Sequence, residues 1–183
     1  MNSALTPSPH TKPQLDATRS QSLVIVLVEP RIPQNFGNIS RLAACTGCPL
    51  IVIGDTGFSM LDKDVKRSGM DYLEQVELRR YRDLPDASAD FPNYQVAYMS
   101  SHAQQIYTEI PFQKNTMLVF GSESTGLPKR LLEAHPEECY TIPMLADRRS
   151  LNLSSSVSLV VYEGLRHRNQ WPCESPSIVD IDE

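Results

Sequence analysis

Leu23–Val28 reads LVIVLV, six consecutive large apolar residues without a polar interruption. A strand with one wet face alternates apolar and polar residues, so an unbroken β-branched run needs cover on both faces. That requirement points to a sheet sandwiched between helices. The next ten residues, EPRIPQNFGN, carry two prolines and a glycine. Ile39, Leu42 and Ala43 then recur at helical spacing. Asn38 reads as the N-cap of that helix, and Gly47, with Pro49 just beyond, as its end. Leu50–Ile53 (LIVI) is a second fully apolar run, closed by Gly54 and Gly57. Strand, helix and strand in about 30 residues make a βαβ unit, with parallel strands and a right-handed crossover.

The remaining chain continues the pattern. Asp62–Ser68 reads as a short charged helix closed by Gly69, and Leu78 and Tyr81 fall in a weak, exposed segment. Tyr94–Met99, Met117–Phe120 and Cys139–Ile142 read as three further strands. Pro128 sits where a helix accepts a first-turn proline, ahead of a helix over Lys129–Ala134. Leu153, Val157, Val160, Val161, Gly164 and Leu165 form one apolar stripe on a last helix. The expected class is α/β, a mostly parallel sheet flanked by helices.

At 183 residues the chain suits one domain. Residues 22–171 carry it. Residues 1–21, rich in Pro, Ser and Thr, are expected to be a disordered lead-in without the apolar region of a secretory signal. Residues 172–183 form an acidic tail holding four of the 22 acids. The other 18 face 17 bases, so the body is close to neutral despite a net charge of −5. This excludes a strongly basic nucleic-acid binder. Any polyanion is held locally, where Lys66-Arg67, Arg79-Arg80 with Arg82, Lys129-Arg130, Arg148-Arg149 and Arg166 with Arg168 cluster. No apolar run reaches the roughly 20 residues of a membrane helix. The four cysteines are expected to be free thiols in a reducing compartment.

Several familiar chemistries fail on position. Cys45-Thr-Gly-Cys48 is a CxxC, but it lies at a helix C-terminus, where the dipole opposes a thiolate. Core packing is the expectation for it. GSESTGLP (121–128) has Gly-x4-Gly spacing, yet Leu127-Pro128 stands where a phosphate loop needs Lys-Ser/Thr. There is no GxGxxG. His10, His102, His135 and His167 have no evident catalytic partner. A strand-end loop with two glycines and an acid still marks the carboxyl edge of the sheet as a pocket for an uncharged or zwitterionic ligand. In PQNFGNISR (33–41), Gly37, Asn38 and Arg41 would suit a phosphate at a helix start.

Three segments in order, EPRIPQNFGNISR (29–41), LVFGSESTGLP (118–128) and IPMLADRRSLNLSSSVSLVVYEG (142–164), resemble motifs 1, 2 and 3 of the SpoU-type (TrmH-like) branch of the SPOUT RNA methyltransferases. RSGMDY (67–72) resembles a signature of the TrmL-type subgroup, small enzymes that methylate the ribose 2′-oxygen of tRNA at wobble position 34. The likeness runs from about Leu23 to Arg168. It departs at Ser122-Glu123-Ser124, where Pro-Glu-Thr is common, and in the N-terminal extension. The resemblance implies a C-terminal trefoil knot, which general topology rules would not suggest. It also implies a homodimer whose protomers complete each other's sites.

The same resemblance implies S-adenosylmethionine as methyl donor, S-adenosylhomocysteine as product, and no metal. Met99, Gly121, Glu123, Ile142, Met144, Ser150, Leu151 and Asn152 match the positions that hold the donor. Arg41 matches the catalytic arginine, with Asn38 and Ser154 as its companions. A guanidinium essentially never deprotonates. Arg41 is therefore expected to clamp a phosphate and stabilise a developing alkoxide, while phosphate or solvent takes the proton. Asn152 and Ser154 are expected to satisfy N–H groups at the start of the last helix. Ser155, Ser156 and Ser158 would keep one side of that helix slim for a dimer partner. Lys129, Arg148, Arg149 and Arg166 are the expected RNA contacts. A cytoplasmic site is expected, with the extension leaving organelle import open. Three other functions remain: a 2′-O-methyltransferase of rRNA or of another tRNA position, a donor- or RNA-binding module without catalysis, and a nucleotide-binding α/β protein.

Overall fold

In the computed structural model, β1 (Leu23–Val28) is buried over its first five residues and lies in the middle of the sheet. The structure describes residues 22–59, 73, 75–146, 148 and 150–170. The 1–21 lead-in, the helix expected over 62–68, RSGMDY, Arg149, Cys173 and the acidic tail lie outside these residues.

The other strands are β2 (Leu50–Ile53), β3 (Leu78–Tyr81), β4 (Gln95–Met99), β5 (Gln105–Ile106), β6 (Thr116–Phe120) and β7 (Cys139–Thr141). Their order is β3-β2-β1-β6-β4-β7-β5, and every pairing is parallel. The α-helices described over their full length are α1 (Pro33–Thr46), α2 (Leu84–Asp90), α3 (Lys129–Ala134) and α4 (Leu153–Arg168). Alternation along β1 divides the core between the two faces. Leu23, Ile25 and Leu27 join Phe36 and Ile39 of α1 and Val157, Val160 and Val161 of α4. Val24 and Val26 join Ala87 of α2, with Leu131 and Leu132 of α3 packed against them. Each fully buried Val, Leu, Ile or Phe among them contributes about 1.5–3 kcal/mol. All six residues of the predicted α4 stripe are buried. Gly164 is among them because a Cβ there would lie 2.8 Å from both Leu23 and Phe112.

The expected start of α1 needs correction, and two other readings need refinement. Asn38 is not an N-cap: α1 starts at Pro33, with Ile32 as its cap residue, and Asn38 is an exposed residue in mid-helix. Pro33 has the right φ for a first turn and no N–H to leave unpaired, so the helix can begin earlier. The segment around Leu78 and Tyr81, read as weak and exposed, is regular structure. It is edge strand β3, paired along β2 from Leu50↔Leu78 to Ile53↔Tyr81. An edge strand needs only partial cover, so its apolar signal is weak. Pro128 takes the cap position of α3, one residue before the first turn. Helix α2 was not expected. Asp83 caps it, its carboxylate accepting from the Asp86 N–H at 3.0 Å.

Gly47 ends α1 at φ 68, as the sequence indicated. At the close of α4, Arg168 donates to the carbonyls of Phe112 and Lys114 and, through Nε, to Gln170. Ser22 donates to the same Gln170 oxygen at 2.6 Å. Arg168 is thus a brace between elements and not a surface base for RNA. No described helix is long and apolar enough to cross a membrane.

Candidate active site

All strands point the same way, so the loops after β1, β4, β6 and β7 gather at one edge, where ligands collect in such folds. The loop after β6 is tight. Ser122 and Gly126 form an isolated antiparallel bridge, the Gly126 N–H donates to the Ser122 carbonyl at 2.9 Å, and Gly126 has φ 67. A Cβ on Gly121 would fall 2.0 Å from the Gly126 carbonyl carbon and 2.2 Å from the Leu127 nitrogen. Only glycine fits there.

This loop carries Glu123 to the start of α1. The Glu123 carboxylate accepts from the Arg31 N–H at 2.8 Å, the Ile32 N–H at 3.2 Å and the Asn35 side-chain amide at 2.9 Å. Ile32 offers no side-chain oxygen as a cap, and the first N–H groups of a helix have no partner within it. Glu123 supplies that cap from about 90 residues away, where its negative charge also suits the helix dipole.

Hydrogen bonding continues past Asn35. Its Oδ1 accepts from Asn152 Nδ2 at 2.9 Å. Asn152 Oδ1 in turn accepts from the backbone N–H groups of Ser154 at 2.9 Å and Ser155 at 3.3 Å, capping α4. The carboxylate sets the polarity of the whole relay. It can only accept, so Asn35 turns its NH2 toward Glu123 and its oxygen toward Asn152. Segments 31–35, 121–126 and 150–155 are tied together by this chain. Ser154 adds its hydroxyl to Asn152 Oδ1 at 2.7 Å. Asn152 therefore caps the helix as expected, whereas the Ser154 hydroxyl does not accept from a helix N–H but donates to the capping side chain.

Beside the relay is a cavity of about 760 Å³. Met99, Gly121, Glu123, Ile142, Met144, Ser150, Leu151 and Asn152, the eight expected donor-binding residues, all line it. So do Ile32, Asn35 and Ser156. Sequence reasoning passed over Asn35, which is 4% exposed. The available signal was Pro33: as a first helical residue it puts Asn35 in the opening turn, facing whatever caps the helix.

The expected catalytic residues are not assembled in one chain. Asn38 and Arg41 are exposed on the outer side of α1, along with Gln34 and Cys45, and neither borders the cavity. Ser154 is half-buried and does not border it. Of the expected RNA contacts, Lys129 pairs with Glu133 at 3.3 Å and Arg166 with Glu163 at 2.7 Å. Arg148 is exposed on the 142–152 segment, and its backbone N–H donates to the Leu145 carbonyl at 3.0 Å. Along α4, Ser155, Leu159, Tyr162 and Arg166 make an exposed stripe, with Leu159 and Tyr162 each more than 40% open. Of the CxxC pair, Cys48 is packed in the core and its thiol is pushed up to about 11 by burial, while Cys45 is exposed. The core-packing expectation holds for Cys48 alone.

Comparison with known proteins places this geometry among relatives. Residues 22–162 match the model of the SpoU rRNA Methylase family. A tRNA (cytidine(34)-2'-O)-methyltransferase of Acidovorax sp. (strain JS42) is 43% identical over 154 residues, covering 79% of this chain and 91% of its own. A solved structure described as giving structural insights into the 2-OH methylation of C/U34 on tRNA superimposes with a TM-score of 0.73 at 37% identity, over 80% of this chain and 96% of that one. The SpoU methyltransferase AviRb of Streptomyces viridochromogenes, solved in complex with the cofactor AdoMet, gives 0.70 at 25% identity over 86% of this chain and 63% of its own.

Proposed function

Because this chain belongs to the SpoU methylase family, we propose that it is a methyltransferase acting from S-adenosylmethionine on the ribose 2′-oxygen of tRNA nucleotide 34. One observation carries this reading. The loops of three separate motifs, joined by the Glu123–Asn35–Asn152 relay, enclose a single cavity.

The residues present fit the donor. Met99, Ile142, Met144 and Leu151 offer apolar faces for a purine, and Gly121 lets the backbone close around a ligand. A cavity of about 760 Å³ is within the range of small-molecule sites. When bound, S-adenosylmethionine supplies a methyl group on a sulfonium leaving group. The chain's own part is to hold the acceptor in line and ease loss of the hydroxyl proton. Arg41 would clamp the neighbouring phosphate and stabilise the developing alkoxide, with phosphate or solvent taking the proton. Asn38 and Ser154 would act beside it in positioning.

Since Arg41 does not border the cavity of its own chain, we place it in the site of a second protomer. A homodimer is further supported by the exposed Leu159 and Tyr162 on α4. A trefoil knot accounts for the path after β7. That strand lies two places beyond β6, yet α4, which follows it, packs against α1, β1 and β6. The chain must recross the sheet edge beside the 121–126 loop. Lys129, Arg148, Arg149 and Arg166 would meet RNA phosphates, and the cytoplasm would be the site of action.

The test is to incubate the protein with labelled S-adenosylmethionine and bulk tRNA, then map the ribose methyl groups. Label at position 34 is expected. Label confined to another position or to rRNA would replace the substrate, and donor-dependent thermal stabilisation without transfer would leave only a binding module.

A further inference from the structure

A second cavity, of about 1010 Å³, opens at the same edge of the sheet, on the α3 side of the loop after β6. Ser122, Thr125, Gly126 and Leu127 of that loop border both cavities. None of the eight donor-binding residues borders the second one. We propose that it takes the nucleobase of the nucleotide being methylated. This rests on the reading above, in which the reaction has two ligands, and these two cavities share one wall.

The lining suits a flat, uncharged ring. Val28, Ala103, Leu127 and Leu132 give it apolar surface, while Gln104 and Gln105 bring neutral amides. Three carboxylates, Glu29, Glu133 and Glu137, stand against one ammonium, Lys129, which is already paired with Glu133 at 3.3 Å. Such a rim repels phosphodiesters. The backbone therefore stays outside, near the basic residues, while the base enters. Gln105 donates its Nε2 to the Glu137 carbonyl at 3.0 Å. The amide is fixed by that bond, which leaves its oxygen and its second N–H to offer a ligand. An amide with both an acceptor and a donor to spare can pair with the edge of a pyrimidine, cytosine included.

Cytidine is titrated into protein saturated with S-adenosylhomocysteine and followed by NMR at the methyl group of Ala103, which borders only the second cavity. Weak binding that shifts Ala103 is expected. Gln104→Trp, which fills only this cavity, should weaken cytidine by about tenfold while S-adenosylhomocysteine affinity stays within about twofold. Gln105→Met, which removes both groups, should weaken cytidine by about fivefold. Cytidine that does not bind, or that shifts only residues near Ile142 and Ser150, overturns the proposal. So does an S-adenosylhomocysteine affinity that falls in Gln104→Trp as far as cytidine's. Methyl transfer to tRNA by the unaltered protein is scored separately: cytidine seated here without any transfer would sink the functional reading and leave this one standing.

Discussion

Asn152 donates its side-chain amide to Asn35 Oδ1 at 2.9 Å, across 117 residues of sequence. The bond joins the cap of the last helix to the opening turn of the first. It is available because Glu123 holds the other end of the Asn35 amide. Three loops remote in sequence thus share one hydrogen-bonded spine, and the shape of the cavity depends on all of them.

Glu123→Gln tests that spine. The new NH2 would face a backbone donor at Arg31 or Ile32, or force the Asn35 amide to flip away from Asn152. Stability should fall by about 1–3 kcal/mol by denaturant unfolding, as for a lost charge-assisted bond. Calorimetry should show weakened S-adenosylhomocysteine binding. Unchanged values in both would mean the relay carries no energy.

Gly121→Ala places a carbon 2.0 Å from the Gly126 backbone, a contact no rotamer can relieve. The loop must open, and donor affinity should fall by at least about tenfold. The β-sheet core, built from other residues, should still unfold cooperatively.

Arg41→Ala should lower kcat by about a hundredfold or more, in the range seen when a preorganised charge is removed. Arg41→Lys should retain partial activity at neutral pH, and activity should not track the titration of a guanidine. Mixing Arg41→Ala with Gly121→Ala protomers should restore activity, because one mixed site then keeps both an intact cavity and an arginine. No recovery after subunit exchange would return Arg41 to its own chain's site.

RNA binding should weaken steeply as salt rises. Arg148→Ala should reduce the slope of log K against log salt by about one. Lys129→Ala and Arg166→Ala should change it less, since Glu133 and Glu163 already share those charges. A salt-insensitive affinity would remove the basic residues from the interface.

In a Cys173→Ser background, a thiol reagent at pH 8 should modify Cys45 first. Burial holds Cys48 neutral, with its pKa pushed up to about 11, and Cys139 is also buried with its thiol pKa raised. Mass spectrometry of the labelled peptides checks the order. Fast labelling of Cys48 would mean that the end of α1 opens readily.

Much of the fold was legible because continuous apolar runs and a single helical stripe record burial directly, as in β1, β2 and α4. Strand β3 and helix α2 were missed because edge strands and short helices leave half their residues in water. At the site, Gly121, Ile142 and Ser150 were found through motif likeness, since strand ends alone give only an edge. Asn35 was missed for a different reason. A capping partner about 90 residues away leaves no local trace, so Asn38, with suitable chemistry and no geometric claim, took its place in the reading.

Ser22 and Gln170 hold hands through one hydrogen bond at the start of β1, across the sheet from the loops that line the cavities. Positions 22 and 170 therefore meet at one corner, behind the edge where the cavities open. A pair of probes set at positions 22 and 170 would start out as neighbours, and any parting of the two would report the opening of that corner.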